Sequence, residues 1–265
     1  MDADVIVIGA GIVGAACAHA LAQAGRRVLV LDAHIGGATS AGMGHLVVMD
    51  DNPAELALSS HSTAQWRALA PRMSEDCAYS ACGTLWIAAN EEEMAEAERK
   101  QQRLRAHGIE SRLLGKAELA RAEPALRNGL AGALLVPGDG ILYAPSAARW
   151  LLGQGGDSVR TEHAKVDAIE DDGTLRLADG SRRTASQIVL ANGIEATTLC
   201  PELPIRPKKG HLLITDRYPG TVHHQLVELG YVTSAHHSEG DSVAFNVQPR
   251  PTGQLLVGSS RQFDT

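Results

Sequence analysis

Hydrophobic positions along the chain fall into two patterns. Near the start, "DVIVIGA" is a continuous apolar run, the mark of a strand buried on both faces. "GIVGAACAHALAQAG" follows, with apolar or small residues at Ile12, Val13, Ala16, Cys17, Ala20, Leu21 and Ala24, a helical spacing, and Gly25 stops the helix. "RRVLVLDA" is a second buried strand. Residues 4–32 therefore predict a right-handed parallel strand–helix–strand crossover.

Further along the pattern changes. A loop of small residues, Ala33 to Gly44, precedes "DNPAELALSSHSTAQWRALA", a predicted helix capped by Asn52 with Pro53 in its first turn. "YSACGTLWIAAN" predicts a strand. "NEEEMAEAERKQQRLRAHG" predicts an exposed helix with Asn90 as cap, acids at its start, bases at its end and Gly108 as stop. Its charge clusters are expected to need no partner beyond water. "LAGALLVPGDGILYAPSAARWLL" reads as strand, turn and a helix around Pro145. Short strands with "DDG" and "ADGS" turns fill residues 158–193, ending in the buried strand "SQIVLANG". "GHLLITD", "SVAFNVQPR" and "QLLVGSS" are later strands.

A parallel unit interleaved with mixed sheet predicts an α/β fold of two discontinuous domains. Residues 1–80 plus 141–204 form the first, a Rossmann-like nucleotide-binding domain. Residues 81–140 plus 205–265 form the second, a mixed or antiparallel-sheet substrate domain. Composition adds exclusions. A net charge of −7 argues against a nucleic-acid partner, and the paired bases at Arg26-Arg27, Arg182-Arg183 and Lys208-Lys209 are isolated. No apolar run approaches the roughly 20 residues of a membrane span. Asp2 and Asp4 do not fit a signal peptide. The four cysteines show no C-x-x-C pair and read as reduced residues of a cytoplasmic protein, at most peripheral at the inner face of a membrane. No zinc spacing occurs, and His223-His224 and His236-His237 read as surface pairs, so no metal is expected.

The chemistry lies in Gly9-Ala10-Gly11-Ile12-Val13-Gly14, a G-x-G-x-x-G between strand and helix. Gly9 allows the tight turn, Gly11 lets a pyrophosphate reach the backbone, and Gly14 lets helix and strand pack closely. The helix N-terminus offers N–H groups and partial positive charge. Asp32 lies 18 residues beyond Gly14, near the spacing of an acid that takes a ribose hydroxyl, with Ala33 beside it. This describes a site for the ADP half of a dinucleotide. Flavin and nicotinamide stay open at this point, although repeated crossovers expected of a nicotinamide dehydrogenase are lacking.

"VIVIGAGIVGAACAHALAQAGRRVLVLDA", "GATSAGMGH", "VPGDGILYAP", "IVLANG", "RPKKGHLLIT" and "QPRPTGQLLVGSS" occur in an order that resembles the D-amino acid oxidase/dehydrogenase family of FAD enzymes. "KKGHLLITDRYPG" and "HHQLVELGY" are most similar to its D-hydroxyproline dehydrogenase branch. The resemblance implies FAD as cofactor. Gly9, Gly11 and Gly14 would hold the pyrophosphate, Asp32 the ribose, and Thr39 and Ser40 would add hydroxyl donors. Gly44, His45 and Leu46 would run past the isoalloxazine ring, Val166 would pair with adenine through its backbone, and Asn192 and Gly193 would line the cofactor.

The implied reaction removes a hydride from the carbon bearing the amine of a D-amino or D-imino acid, such as cis-4-hydroxy-D-proline, giving an imine. Oxygen, a quinone or a protein carrier would take the electrons. His45 and Asn246 are the catalytic candidates, Asn246 because "SVAFNVQPR" offers Phe245 and Asn246 where oxidases of the family often carry a tyrosine. Family members continue for roughly a hundred residues more, about one further domain's worth of chain. The sequence therefore also predicts a truncated or non-catalytic FAD-binding subunit needing a partner as the alternative, and leaves homo- or hetero-oligomer formation open.

Overall fold

The computed structural model describes residues 3–230 and 242–262. In chain order its elements begin with β1 (Ala3–Ile8), α1 (Ile12–Gln23), β2 (Val28–Asp32), α2 (Ala38–Ala41), β3 (His45–Leu46), α3 (Pro53–Leu69) and β4 (Thr84–Ala88). Next come α4 (Glu91–Ala106), β5 (Arg112–Gly115), α5 (Lys116–Ala122), β6 (Gly132–Val136), β7 (Gly140–Ile141) and α6 (Ala144–Gly153). The strands β8 (Val159–His163), β9 (Val166–Ile169), β10 (Leu175–Leu177), β11 (Arg182–Arg183) and β12 (Ala185–Leu190) follow, then α7 (Ala196–Leu199). The strands β13 (Leu212–Arg217), β14 (Gln225–Glu228), β15 (Ser242–Pro249) and β16 (Gln254–Arg261) complete the order. Among the described residues no helix is long and apolar enough to cross a membrane.

Two compact units result, Met1–Gly42 with Tyr143–Pro207, and Met43–Leu142 with Lys208–Thr265. The sequence places residues 43–80 with the first domain; the structure gives them to the second unit. The reason is pairing: β3 lies antiparallel to β7, His45 opposite Ile141, which ties this stretch to the strands around Asp139.

In the first unit a parallel sheet runs β12-β1-β2-β8. Its apolar strands form the expected crossover, and Ile6, Leu29 and Leu31 are sealed in the core. The helix α1 differs from expectation in its buried face. Gly14, Ala15, Ala18 and His19 face inward, while Val13 is 63% exposed. Small residues win the sheet-facing positions because helix and strand approach closely there: a Cβ on Gly14 would lie 1.9 Å from the Gly9 carbonyl oxygen. The helix ends as predicted, with Gly25 at φ 75° and its N–H on the Ala22 carbonyl. The strand "SQIVLANG" is β12, and its residues are half-buried or exposed instead of fully buried, because β12 is an edge strand here. The "DDG" and "ADGS" turns form as read, with Asp172 Oδ1 accepting from Thr174 N and Asp179 Oδ1 from Ser181 N.

In the second unit a mixed sheet runs β13-β16-β15-β14-β4-β6-β5. Side chains alternate between its faces. Leu85, Ile87, Leu114 and Leu226 pack on one face, and Trp86, Ala88, Leu134 and Val227 on the other. Asn52 and Asn90 cap α3 and α4, each side-chain oxygen accepting an N–H at 2.9 Å, from Glu55 and Glu93. The charges of α4 are not all left to water. Lys100 is 1% exposed, lies 3.9 Å above the Trp86 ring, and pairs with the buried Asp50, which also accepts from Arg103. The helix needs these partners because its inner face covers the core at Ala97 and Leu104, which brings Lys100 inside with them.

Candidate functional site

In the first unit the six-residue glycine motif forms the turn from β1 into α1. Gly9 stands at φ 102°, and a Cβ there would meet the Ala191 carbonyl oxygen at 2.6 Å and the Asn192 Cα at 2.8 Å. The turn is thus wedged against the end of β12, which brings Asn192 and Gly193 to the motif. Asn192 Oδ1 is buried with no hydrogen-bond partner. A Cβ on Gly11 would meet only the Thr39 side chain, at 3.0 Å. That is a cradle a side chain would fill, at the open N-terminus of a helix.

Asp32 ends β2 beside this cradle. Its Oδ2 accepts the Ala10 N–H at 2.6 Å and its Oδ1 accepts the His34 N–H at 2.7 Å. Each carboxylate oxygen keeps a lone pair for a further donor. Thr39 Oγ1 accepts the Ile12 N–H at 3.0 Å, so its hydroxyl sits at the first turn of α1. Ser40 does not join it, because its hydroxyl donates to the Gly37 carbonyl at 2.8 Å. Val166 lies opposite Leu177 in β9, an edge strand of a small sheet ordered β11-β10-β9, with its side chain buried. One backbone edge of Val166 therefore lies outside that sheet. Ala33 follows Asp32 half-buried, and Ala10, Ile12 and Val13 complete the turn.

In the second unit Gly44 stands at φ 79°, where a Cβ would collide with the Leu142 carbonyl oxygen at 1.9 Å. Leu142 N–H bonds to the Gly44 carbonyl at 2.9 Å, and this crossing fixes His45 while Leu46 turns into the core. His45 Nδ1 bonds to Gln225 Oε1, and Gln225 Nε2 donates to Thr84 Oγ1 at 2.8 Å. Gln225 and Thr84 are fully buried. His45 as a residue is exposed, yet protein surrounds its ring on enough sides that burial lowers its pKa. The Arg250 guanidinium lowers it further, and the Gln225 bond acts the other way. Arg250 is anchored on the carbonyls of Leu142 and Met43 at 3.1 and 3.2 Å.

Beyond Thr84 lies Asp139. Burial pushes its carboxyl up to about 7, against the pull of the Thr84 hydroxyl, the Val48 N–H, Lys100 and Arg67. Val48 N donates to Oδ1 at 3.1 Å, while Oδ2 is buried without a partner of ordinary geometry. Asn246 is also buried, and it sits opposite Val227 on the sheet face that carries Gln225. Its Oδ1 has no partner, and neither amide atom of the neighbouring Gln248 has one. Phe245, by contrast, is 57% exposed.

A family model described as "FAD dependent oxidoreductase" (DAO) matches residues 4–265. The chain belongs to this family. It is 29% identical over 229 residues to the glycine oxidase of Geobacillus kaustophilus (strain HTA426), covering 80% of this chain and 61% of that protein. It is 30% identical over 233 residues to the tRNA 5-methylaminomethyl-2-thiouridine biosynthesis bifunctional protein MnmC of Pseudomonas entomophila (strain L48), covering 82% of this chain and 34% of that protein. The chain thus spans about a third to three fifths of these curated relatives. The solved glycine oxidase of Geobacillus kaustophilus superposes with a TM-score of 0.83 at 26% identity, covering 99% of this chain and 72% of that one. The L-proline dehydrogenase of P. horikoshii shares the fold at a TM-score of 0.83 and 20% identity, over 97% of this chain and 69% of that one.

The family to which the chain belongs is described as one of FAD-dependent oxidoreductases. The structure brings Gly9, Gly11, Gly14, Asp32, Thr39 and Asn192 together around one turn, and leaves Ser40 committed elsewhere. Gln225, Thr84, Asp139 and Arg250 do not stand out in the sequence. A faint signal exists for two of them: Thr84 shares a strand face with Trp86, and Gln225 shares one with Val227. Polar residues at inward strand positions mark buried hydrogen bonding. The sequence suggests a surface place for His224, but its ring bonds to the buried Glu123 at 2.7 Å. The pair His236-His237 lies outside the described residues.

Proposed function

We propose that the chain binds FAD through the glycine turn and removes a hydride from the amine-bearing carbon of a D-amino or D-imino acid, cis-4-hydroxy-D-proline being the first substrate to try. The observation that carries this reading is the cradle at Gly11, open at the N-terminus of α1 and flanked by Asp32 and Thr39. Gly11 and the first N–H groups of α1 would hold the pyrophosphate. Asp32 would accept a ribose hydroxyl on a remaining lone pair, and Val166 would meet adenine along its outer backbone edge. Thr39 would donate to a phosphate oxygen, and the unpaired Oδ1 of Asn192 suits a donor on the cofactor. Bound FAD supplies the hydride acceptor. Gly44, His45 and Leu46 would form the strand beside the redox centre, with His45 and Asn246 offering polar groups to the substrate. A quinone, oxygen or a protein carrier would then take the electrons.

The test is direct. The purified chain, mixed with FAD and freed of excess, should be yellow and should bleach anaerobically with cis-4-hydroxy-D-proline. Glycine and L-proline serve as comparison substrates. A chain that takes up no FAD defeats the proposal. Yellow protein that no amine bleaches favours a cofactor-binding subunit that works with a partner chain.

A further inference from the structure

His45, Gln225, Thr84 and Asp139 form a line of polar groups in the second unit, from the His45 imidazole to a buried carboxyl. Direction along such a line is set by its end. The Asp139 carboxylate can only accept. The Thr84 hydroxyl oxygen accepts from Gln225 Nε2 at 2.8 Å, which leaves its own proton to point the other way, towards the carboxyl that it pulls on. That choice turns Gln225 Oε1 towards His45, so Nδ1 must carry the proton. We propose that Gln225, Thr84 and Asp139 are positioning residues that keep the His45 proton on Nδ1 and leave Nε2 as the ring's acceptor.

Three observations support this. Gln225 and Thr84 are fully buried, so no water competes for the amide or hydroxyl. The amide has both ends engaged, and reversing it would set its oxygen against the Thr84 oxygen that now accepts from it and its NH2 against His45 Nδ1. Among the described residues His45 Nε2 meets no hydrogen-bond partner, so it is the end of the line available to a small molecule. Such an acceptor suits an amine N–H. That use rests on the function proposed above; the tautomer does not.

The groups facing the two ends are few. Arg250, the residue after β15, acts on His45, and Lys100 of α4, Arg67 of α3 and the Cys82 thiol lie near Asp139. Burial of Asp139 makes the bias depend on pH: the line is directed when the carboxyl is ionised, above neutrality, and loses direction as it gains a proton.

The experiment is two-bond ¹H–¹⁵N NMR of the full chain labelled at histidine nitrogens, above neutral pH, without flavin or substrate. The His45 signals are identified by their loss in His45→Gln. Wild type should show one tautomer, protonated at Nδ1. Thr84→Val should give both tautomers in comparable amounts, and Thr84→Ser, which restores the hydroxyl, should return the single form. Gln225→Glu should raise the His45 titration midpoint by about one pH unit, since a carboxylate beside an imidazole favours its charged form. This second variant reads the same contact if Thr84→Val does not fold. An Nε2-protonated wild type, an unchanged tautomer in Thr84→Val, or an unmoved titration in Gln225→Glu overturns the proposal. Failure of the amine-oxidation test leaves these signals untouched, so the two readings fail separately.

Discussion

Thr39 Oγ1 accepts the Ile12 N–H at 3.0 Å, so the loop after β2 returns to the first turn of α1. The hydroxyl takes a donor that would otherwise be an orphan of the helix end. If its own proton serves a phosphate oxygen, Thr39→Val should weaken FAD binding about tenfold, the worth of one hydrogen bond to a charged group. Thr39→Ser should bind as wild type does. Flavin fluorescence titration measures both. Unchanged or tighter binding in Thr39→Val would show that the hydroxyl only fills the vacant helix donor.

Gly14 and Gly25 separate two reasons for glycine. A Cβ at Gly14 would sit 1.9 Å from the Gly9 carbonyl oxygen, backbone against backbone, so neither can yield. Gly25 stands at φ 75° with nothing within 4 Å of a Cβ. Gly25→Ala should therefore cost about 1 kcal/mol, the strain of a left-handed alanine. Gly14→Ala should cost about 3 kcal/mol and lower flavin affinity as the turn opens. Urea unfolding midpoints decide the order, and equal costs for the two would contradict the packing argument.

The same contrast explains what the sequence could and could not reveal. Strand–turn–helix at residues 4–25 was legible because local rules act there: an apolar run, a glycine turn and a glycine stop. The buried face of α1 was not, because spacing alone favours Val13 over Ala15, and only the close approach to β1 reverses that choice. The Asn52 and Asn90 caps were legible from three-residue neighbourhoods. The contact of His45 with Gln225 spans 180 residues, and nothing local to either residue announces it. The place of residues 43–80 in the second unit was hidden for the same reason, since the β3–β7 pairing joins segments far apart in sequence.

Lys100 carries its charge into the core. Its ammonium lies over the Trp86 ring and against Asp50, both nearly inaccessible. Burial pushes the Asp50 carboxyl up, but Lys100 and Arg103 outweigh it and hold the pKa below its ordinary value. Lys100→Met leaves Asp50 with only the half-exposed Arg103, and should cost roughly 3 kcal/mol. Pairing it with Asp50→Asn should recover much of that loss, because the uncompensated charge disappears. Since the folded pKa is depressed, the wild-type contribution is present above the unfolded value of 3.8 and is lost as pH falls through the folded value. The double variant should show less acid sensitivity in a thermal melt, and equal sensitivity would argue that the pair does not carry it.

Asp139 behaves in the opposite sense. Its carboxyl is raised from 3.8 to about 7, so between these values the folded chain holds a proton that the unfolded chain has released. Stability linked to this group is full below pH 3.8 and declines as pH rises towards 7. Asp139→Asn cannot ionise and should escape the decline. Near pH 4 the variant and wild type should differ little. Near pH 8 the variant should be more stable by up to about 4 kcal/mol, since each tenfold change in proton affinity is worth about 1.4 kcal/mol. The opposing pull of Lys100 and Arg67 is already contained in the raised value. Urea titrations of both chains across this range supply the measurement. A wild type that gains stability relative to Asp139→Asn on going from pH 4 to pH 8 would mean that the carboxylate is favoured where it sits, and that the buried end of the His45 line is a charged anchor throughout.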